Sequence, residues 1–264
     1  MSLKITVLGC GNSTGVPSIG NHWGKCDPHE PRNKRLRSSI AVQSKNTTII
    51  VDTGADFRTQ MNRADISHVD AVLYTHAHSD HIMGIDDLRM IRIRGQKLVP
   101  IYGNAETLGD LTERFRYLFE GGKSVLYPPV LEAHEIGEKN YGKSMRVGDI
   151  DFTPFDQDHG TCRSVGYRFG DFGYSCDIVN LDPTAVEALK GVKTWIVDSA
   201  GYHHTDNLVH ANLETIYALN EQIGAAQVYL SSLTLAMDYR TLVNELPDGY
   251  APAYDGLEIT VKTA

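Results

Sequence analysis

One stretch constrains this chain more than any other part of its sequence: residues 75–81, which read Thr-His-Ala-His-Ser-Asp-His. The stretch holds three imidazoles and a carboxylate, which are donor groups that zinc, manganese and iron accept. The apolar run 69–74 before it predicts a buried strand, and the apolar spacing over 82–93 predicts a helix. We therefore expect a metal-binding loop between a strand and a helix. A polar loop that is merely His-rich is the alternative, but so many donors have little structural use.

Polar side chains also follow other predicted strands. Asp52, His159, Asp177 and Asp198 each stand just past an apolar run. Loops on a rigid scaffold can bring such side chains to one rim, so the sequence predicts one site assembled from several loops. Asp52 is placed to orient nearby ligands, and capping of a turn is its alternative role.

The order of the predicted elements favours one domain over residues 1–264, with sheets covered by helices. A hairpin is predicted over 40–51 and a second one over 165–176. Helices are predicted over 84–93, 105–119, 183–189, 212–223 and 239–245. Turn residues and single strands fill the intervals.

Composition limits the class of partner. The net charge of −8 argues against a general nucleic-acid binder, because phosphate backbones require a basic face. We expect a small substrate and no membrane partner, since no apolar run is long enough to span a bilayer. Four scattered cysteines and a start that does not resemble a signal peptide predict free thiols and a cytoplasmic location.

Several residues are candidate phosphate contacts. The Gly-rich loop 9–17 offers backbone N–H groups, although a tight exit from the first strand explains its glycines equally well. Arg37, Ser39 and Arg89 are further candidates, and surface salt bridges are the alternative for both arginines.

The motif of residues 75–81, with His159 and Asp177 downstream, resembles the metallo-β-lactamase superfamily. The segments Gly-Asn-Ser-Thr-Gly-Val-Pro, Asp-Thr-Gly-Ala-Asp-Phe-Arg and Tyr-Asp-Gly-Leu-Glu-Ile are similar to the phosphoribosyl cyclic phosphodiesterase group of the carbon–phosphorus lyase pathway. The resemblance implies an α/β fold, namely a single-domain αββα sandwich of two mixed sheets flanked by helices. It also implies a dinuclear metal site on one rim and hydrolysis of phosphodiesters by a metal-bound hydroxide.

The resemblance implies a role for each matching residue. It assigns the first metal, zinc or manganese, to His76, His78 and His159, the second to Asp80 and His81, and the bridge between them to Asp177. Asp52 would orient these ligands and Asp80 would also serve catalysis. His210 would be the general acid for the leaving oxygen, and capping of the following helix is its alternative role.

The chain departs from this group at two places. Ser232 stands where the last metal-binding His belongs, and no His follows His210. A hydroxyl is a poor substitute for imidazole, so we expect one secure metal position and a second that is weaker or has another metal preference. The group often has a structural zinc bound by several cysteines, of which only Cys26 is present here, so we expect no structural zinc.

The leading expectation is a metal-dependent phosphodiesterase that acts on a small cyclic or nucleotide-like phosphodiester, with a homodimer as a further expectation. An RNA-processing nuclease and a (thio)ester or lactam hydrolase are alternatives, because a fold does not determine a substrate. The change at Ser232 adds a third alternative, a catalytically weakened scaffold that binds metal or ligand.

Overall fold

Two sheets of seven strands form the centre of the part of the chain that the structure describes, residues 2–122 and 126–262 of this computed structural model. The first sheet has the order β14-β1-β2-β3-β4-β5-β6. Its strands are β1 Ser2–Gly9, β2 Ser39–Gln43, β3 Thr48–Val51, β4 Ala71–Leu73, β5 Val99–Gly103, β6 Leu131–Glu135 and β14 Glu258–Lys262. β14, β1, β2 and β3 pair antiparallel, and β3 to β6 pair parallel, so the sheet is mixed.

The second sheet has the order β13-β12-β11-β10-β9-β8-β7 and is also mixed. Its strands are β7 Met145–Val147, β8 Ile150–Asp158, β9 Arg163–Phe169, β10 Phe172–Ser175, β11 Thr194–Asp198, β12 Gln227–Ser231 and β13 Tyr250–Pro252. β7 to β10 pair antiparallel and β10 to β13 pair parallel. The hairpins predicted over 40–51 and 165–176 are both present.

Helices cover the outer faces. They are α1 Phe57–Arg63, α2 Ser79–Ile82, α3 Leu88–Gly95, α4 Ala105–Arg114, α5 Arg116–Glu120, α6 Pro183–Leu189, α7 Leu213–Ile223 and α8 Tyr239–Glu245. Alternation along β3 shows the layering: Ile49 and Val51 belong to the larger core, while Ile50 packs into the smaller core with residues of α1 and α4. The predicted αββα sandwich is thus confirmed. No helix among the described residues is long and apolar enough to cross a membrane.

Two predicted helices are wrong in detail. The segment 84–93 is a 3₁₀ turn, Ile85–Asp87, followed by α3. Just before the turn, Gly84 packs so closely on Gly54 that a Cβ would lie 2.2 Å from the Gly54 carbonyl oxygen. The segment 105–119 breaks at Phe115, whose φ of −122° is not helical. The Leu118 carbonyl, in the last turn of α5, accepts a hydrogen bond from Val130 N just before β6.

Candidate metal centre

The sequence-predicted metal ligands lie together at one rim of the sandwich, although they come from both sheets. The loop after β4 carries His76, His78, Asp80 and His81, with the last two in the first turn of α2. The second sheet supplies His159 from the turn after β8 and Asp177 from the end of β10. A hydrogen bond of 2.9 Å from Val165 N to Thr75 O joins the sheets beside the motif.

Four of these residues form one compact group. His76, His78, His159 and Asp177 each place a possible ligand atom within 4.8 Å of the others. The Nε2 of His76 lies 2.9 Å from Nδ1 of His78 and 3.6 Å from Oδ2 of Asp177. The Nε2 of His159 lies 3.6 Å from the same carboxylate oxygen. The geometry is that of ring nitrogens and an oxygen facing a common point.

His81 and Asp80 form a second group of donors beside Asp177. The Nε2 of His81 is 3.3 Å from Asp177 Oδ2 and 3.2 Å from Asp80 Oδ2. His81 is fully buried, whereas Asp80 lines the rim of the pocket. Asp177 therefore contacts both groups of donors, as the sequence resemblance implies for a bridging residue.

Hydrogen bonds behind the cluster hold the imidazoles in place. Asp52, which is buried at the end of β3 with a φ of 63°, accepts from His81 Nδ1 at 2.7 Å and from the backbone N–H and hydroxyl of Thr75 at 2.8 Å. His159 Nδ1 donates to the Val209 carbonyl at 2.7 Å. With Nδ1 occupied as a donor, each ring presents Nε2 to the cluster, which is the arrangement that ligand imidazoles adopt around metals.

The charges within the cluster suit a bound cation. Burial lowers the pKa of His76, so its imidazole is neutral and has a free lone pair. At His81 burial also lowers the pKa, but Asp52, Asp80 and Asp177 outweigh burial and raise it well above the ordinary value. None of the described residues that line this pocket of about 150 Å³ is a Lys or Arg. The neutral imidazole of His76 and the carboxylates of Asp80 and Asp177 fit a divalent metal, and a metal at His81 would have to displace the proton of that ring.

Ser232 occupies the position predicted from the sequence. It lies at the end of β12 in the left-handed region, with a φ of 55°, and is buried. Its hydroxyl is 3.4 Å from Asp177 Oδ1, 3.4 Å from the Ser38 hydroxyl and 3.8 Å from Cys176 Sγ. The side chain thus faces the same carboxylate as the histidines, but it brings a neutral hydroxyl.

His210 lies across the pocket from this group, with its ring centroid 5.4 Å from that of His159. Its Nδ1 donates to Asp198 Oδ2 at 2.7 Å. Burial lowers the pKa of His210, but the Asp198 carboxylate outweighs burial and raises the pKa to about 9. Asp198 is fixed in turn, because it accepts from the backbone N–H groups of Ile178 and Ala200. Asp198 is recognisable in the sequence only as a polar residue at a strand end, so its pairing with His210 is a structural finding.

Most of the candidate phosphate contacts lie elsewhere. Ser39 points away, since its hydroxyl donates to the carbonyls of Val51 and Asp52, and its neighbour Ser38 lines the pocket instead. Arg89 forms a surface ion pair with Asp86. Arg37 lies beside a depression lined by His78 and Asp80, with its Nε and Nη1 already donating to Ser13 O and Asp56.

The hydrogen bonds of the Gly-rich loop 9–17 also differ from those of a phosphate-binding loop. Gly11 and Asn12 line the pocket, but their backbone N–H groups donate to the carbonyls of Leu36 and Leu233. The amides of Gly11 and Asn12 are therefore already paired within the protein, which favours a tight strand exit over a phosphate cradle at these two residues. Nearby, the Cys26 thiol lies 3.9 Å from the guanidinium of buried Arg35.

Comparisons with known proteins agree with this geometry. The sequence profile of the beta-lactamase superfamily domain matches residues 47–231. A crystal structure of a diphosphatase from the PhnP family superposes with a TM-score of 0.86 and 31% identity, covering 99% of this chain and 98% of that one.

This chain also matches part of the length of two longer curated relatives. An octanoyltransferase from Porphyromonas gingivalis is 29% identical over 263 residues, which are 98% of this chain and 52% of that protein. A ribonuclease Z from Thermococcus kodakarensis is 31% identical over 145 residues, which are 53% of this chain and 42% of that protein. The chain thus spans about half the length of the curated relatives it matches.

Proposed function

The chain belongs to the beta-lactamase superfamily and to the PhnP family, and we propose that it is a metal-dependent phosphodiesterase of small phosphate esters. Its place in the PhnP family rests on the likeness to the diphosphatase over nearly the full length of both chains. One observation carries the proposal: a histidine paired with a buried aspartate faces a cluster of metal-type donors in a single pocket. Hydrolysis of a phosphodiester needs both parts, because the phosphoryl group must be activated and the leaving oxygen must receive a proton.

His76, His78, His159 and Asp177 would hold one divalent metal, and His81 with Asp80 and Asp177 would hold a second. A bound metal supplies a Lewis acid for the phosphoryl oxygen and makes a water acidic enough to attack. Asp52 contributes by holding the ring of His81 in one orientation through the hydrogen bond at its Nδ1.

His210 supplies the proton in this proposal. Its Nδ1 is bound to Asp198, so its Nε2 is the atom that is free to donate to a leaving alkoxide. The paired carboxylate keeps the imidazole protonated at neutral pH, because it raises the pKa of His210 to about 9. A protonated imidazole at the pocket wall favours a substrate whose leaving group is a sugar or alkyl oxygen, since such alkoxides are poor leaving groups without an acid.

The size and charge of the site favour a small substrate. The pocket has a volume of about 150 Å³, and its lining includes Asn12, Ser13 and Val209. Arg37, at the edge of the neighbouring depression, is a cation that can meet a second phosphate outside the metal cluster. A cyclic or nucleotide-like phosphodiester matches these dimensions and charges.

An RNA-processing nuclease is the second candidate, because a ribonuclease Z is among the relatives of this chain. The net charge of −8 disfavours this activity, since binding to an RNA backbone relies on basic side chains. A structured tRNA precursor as substrate distinguishes the two: cleavage at a rate comparable with that of a small cyclic phosphodiester would favour the nuclease.

The proposal is tested by turnover of bis(p-nitrophenyl) phosphate and of a cyclic ribose phosphate with zinc and with manganese. We expect turnover that His76→Ala abolishes and that His134→Ala leaves unchanged, because His134 is a surface residue near Glu132. Absence of turnover on both esters with either metal would overturn the proposal and favour a binding scaffold.

A further inference from the structure

The second metal position lacks an imidazole at Ser232, but it does not lack a further donor. Cys176, which is completely buried, precedes Asp177 and places its Sγ 3.4 Å from Asp177 Oδ1 and 3.8 Å from the Ser232 hydroxyl. His81, Cys176 and Asp177 each place one possible ligand atom within 4.8 Å of the others. The short side chain of Ser232 leaves the thiol next to the carboxylate.

The distances between these donors are close to those around a tetrahedral metal. Zn–S bonds of about 2.3 Å and Zn–O or Zn–N bonds of about 2.1 Å separate neighbouring ligand atoms by roughly 3.4–3.6 Å. The observed separations are 3.4 Å from Cys176 Sγ to Asp177 Oδ1 and 3.3 Å from Asp177 Oδ2 to His81 Nε2. The two distances end on different oxygens of Asp177, and one possible ligand atom from each of the three residues lies within 4.8 Å of the others.

A second observation points to the same sulfur. The hydroxyl of Tyr174 is buried and has no hydrogen-bond partner with good geometry among the described residues. Tyr174 stands two residues before Cys176 and interacts with its side chain. A thiol is a weak acceptor, whereas a metal-bound thiolate accepts strongly, so a metal at Cys176 would satisfy this buried hydroxyl.

We propose that Cys176 is a protein ligand of the second metal position, as a thiolate that acts together with His81, Asp177 and Asp80. The inference rests on the metal centre of the proposed function and goes beyond it by naming a ligand and a metal class. Thiolates favour zinc and cobalt and are poor ligands for manganese. The second position should therefore fill with zinc and stay weak with manganese, and binding should release the thiol proton to solvent.

Cobalt(II) provides a direct test, because a thiolate bound to cobalt gives a charge-transfer band in the near ultraviolet that imidazole and carboxylate ligands do not give. The chelator-stripped full chain is titrated with cobalt, and the band and the bound cobalt are measured. We expect the band to develop with the second equivalent in the native protein. In Cys176→Ser it should be absent, and bound cobalt should fall from about two equivalents to about one.

Cys162→Ser is the matched control, because Cys162 is a thiol beside a neighbouring pocket that contains His76 and His78. This variant should keep both the band and the second equivalent. Two bound equivalents without a band in the native protein, or a band that survives Cys176→Ser, would overturn the inference. If Cys176→Ser does not fold, the titrations of the native protein and of Cys162→Ser still test the inference, because the band must be present in both.

Failure of the inference and failure of the proposed function give different results. Turnover of bis(p-nitrophenyl) phosphate without a thiolate band leaves the phosphodiesterase in place and removes Cys176 from the ligand set. A thiolate band without turnover on any phosphodiester leaves the ligand in place and removes the function.

Discussion

Two groups of metal donors share Asp177, and these two sides of the centre differ in how complete their donor sets are. On one side, His76 and His159 each place Nε2 3.6 Å from one carboxylate oxygen of Asp177, and hydrogen bonds at Nδ1 hold their rings, while the more exposed His78 lies 2.9 Å from His76. On the other side, His81 is oriented equally well by Asp52, but the position of the last imidazole holds Ser232, with a thiol behind it. The comparison shows that the two sides differ in their final donor, although they share Asp177 and the loop after β4.

Removing an imidazole from the complete side should have the largest effect. His76→Ala takes away a donor that contacts both His78 and Asp177. We expect turnover to fall by at least about a thousandfold, because the metal supplies most of the activation. Bound metal, measured by elemental analysis, should fall in parallel. Retention of two tightly bound metals would show that the two sides are not distinct in the way described.

Loss of the proposed acid should be nearly as severe but should leave the metals in place. His210→Ala should lower turnover of an alkyl phosphodiester by about 10²–10⁴-fold, the usual range for general acid catalysis. Bis(p-nitrophenyl) phosphate should be affected far less, because nitrophenolate leaves without a proton. An equal loss on both esters would indicate that His210 acts on binding or structure instead.

Restoring the missing imidazole should sharpen the comparison by making the two sides alike. Ser232→His brings a ring nitrogen to Asp177, which the serine hydroxyl already faces at 3.4 Å. We expect manganese to bind the second position about 10–100-fold more tightly, the size of effect that ligand environments commonly have. Calorimetric titration with manganese measures the change, and the melting temperature confirms folding. Unchanged affinity in a folded variant would mean that the second side is not limited by its ligands.

We expect the smallest effect from Asp198→Asn, which removes the negative charge beside His210 but keeps the shape of the side chain. The carboxylate raises the pKa of His210 to about 9, so its loss should return the pKa towards the ordinary value near 6.5. The variant should work normally at acidic pH and lose about tenfold in turnover by pH 8, because the acid is then deprotonated. The pH profile of kcat checks this, and an unshifted alkaline limb would contradict it.

The sequence predicts the sandwich. It also predicts that the donors lie together, because each donor follows an apolar run that forms a strand and these strand ends lie at one rim. Ser232 was also predictable, since it interrupts a recognisable pattern. Cys176 was not, because a cysteine that ends a buried strand resembles an ordinary core residue. The break at Phe115 and the turn at 85–87 were missed for a similar reason: apolar spacing carries no information on tertiary contacts such as those of Leu118 and Gly84.

The donors of this centre come from both sheets, so a bound metal is also a cross-link between the two layers of the sandwich. Separating the layers would pull His76 and His81 away from His159 and Asp177 and would release the ion. A ligand that binds only the folded state stabilises it by about 2.7 kcal/mol when present at a hundred times its Kd. Metal supply would therefore change the free energy of unfolding of this chain as well as its chemistry.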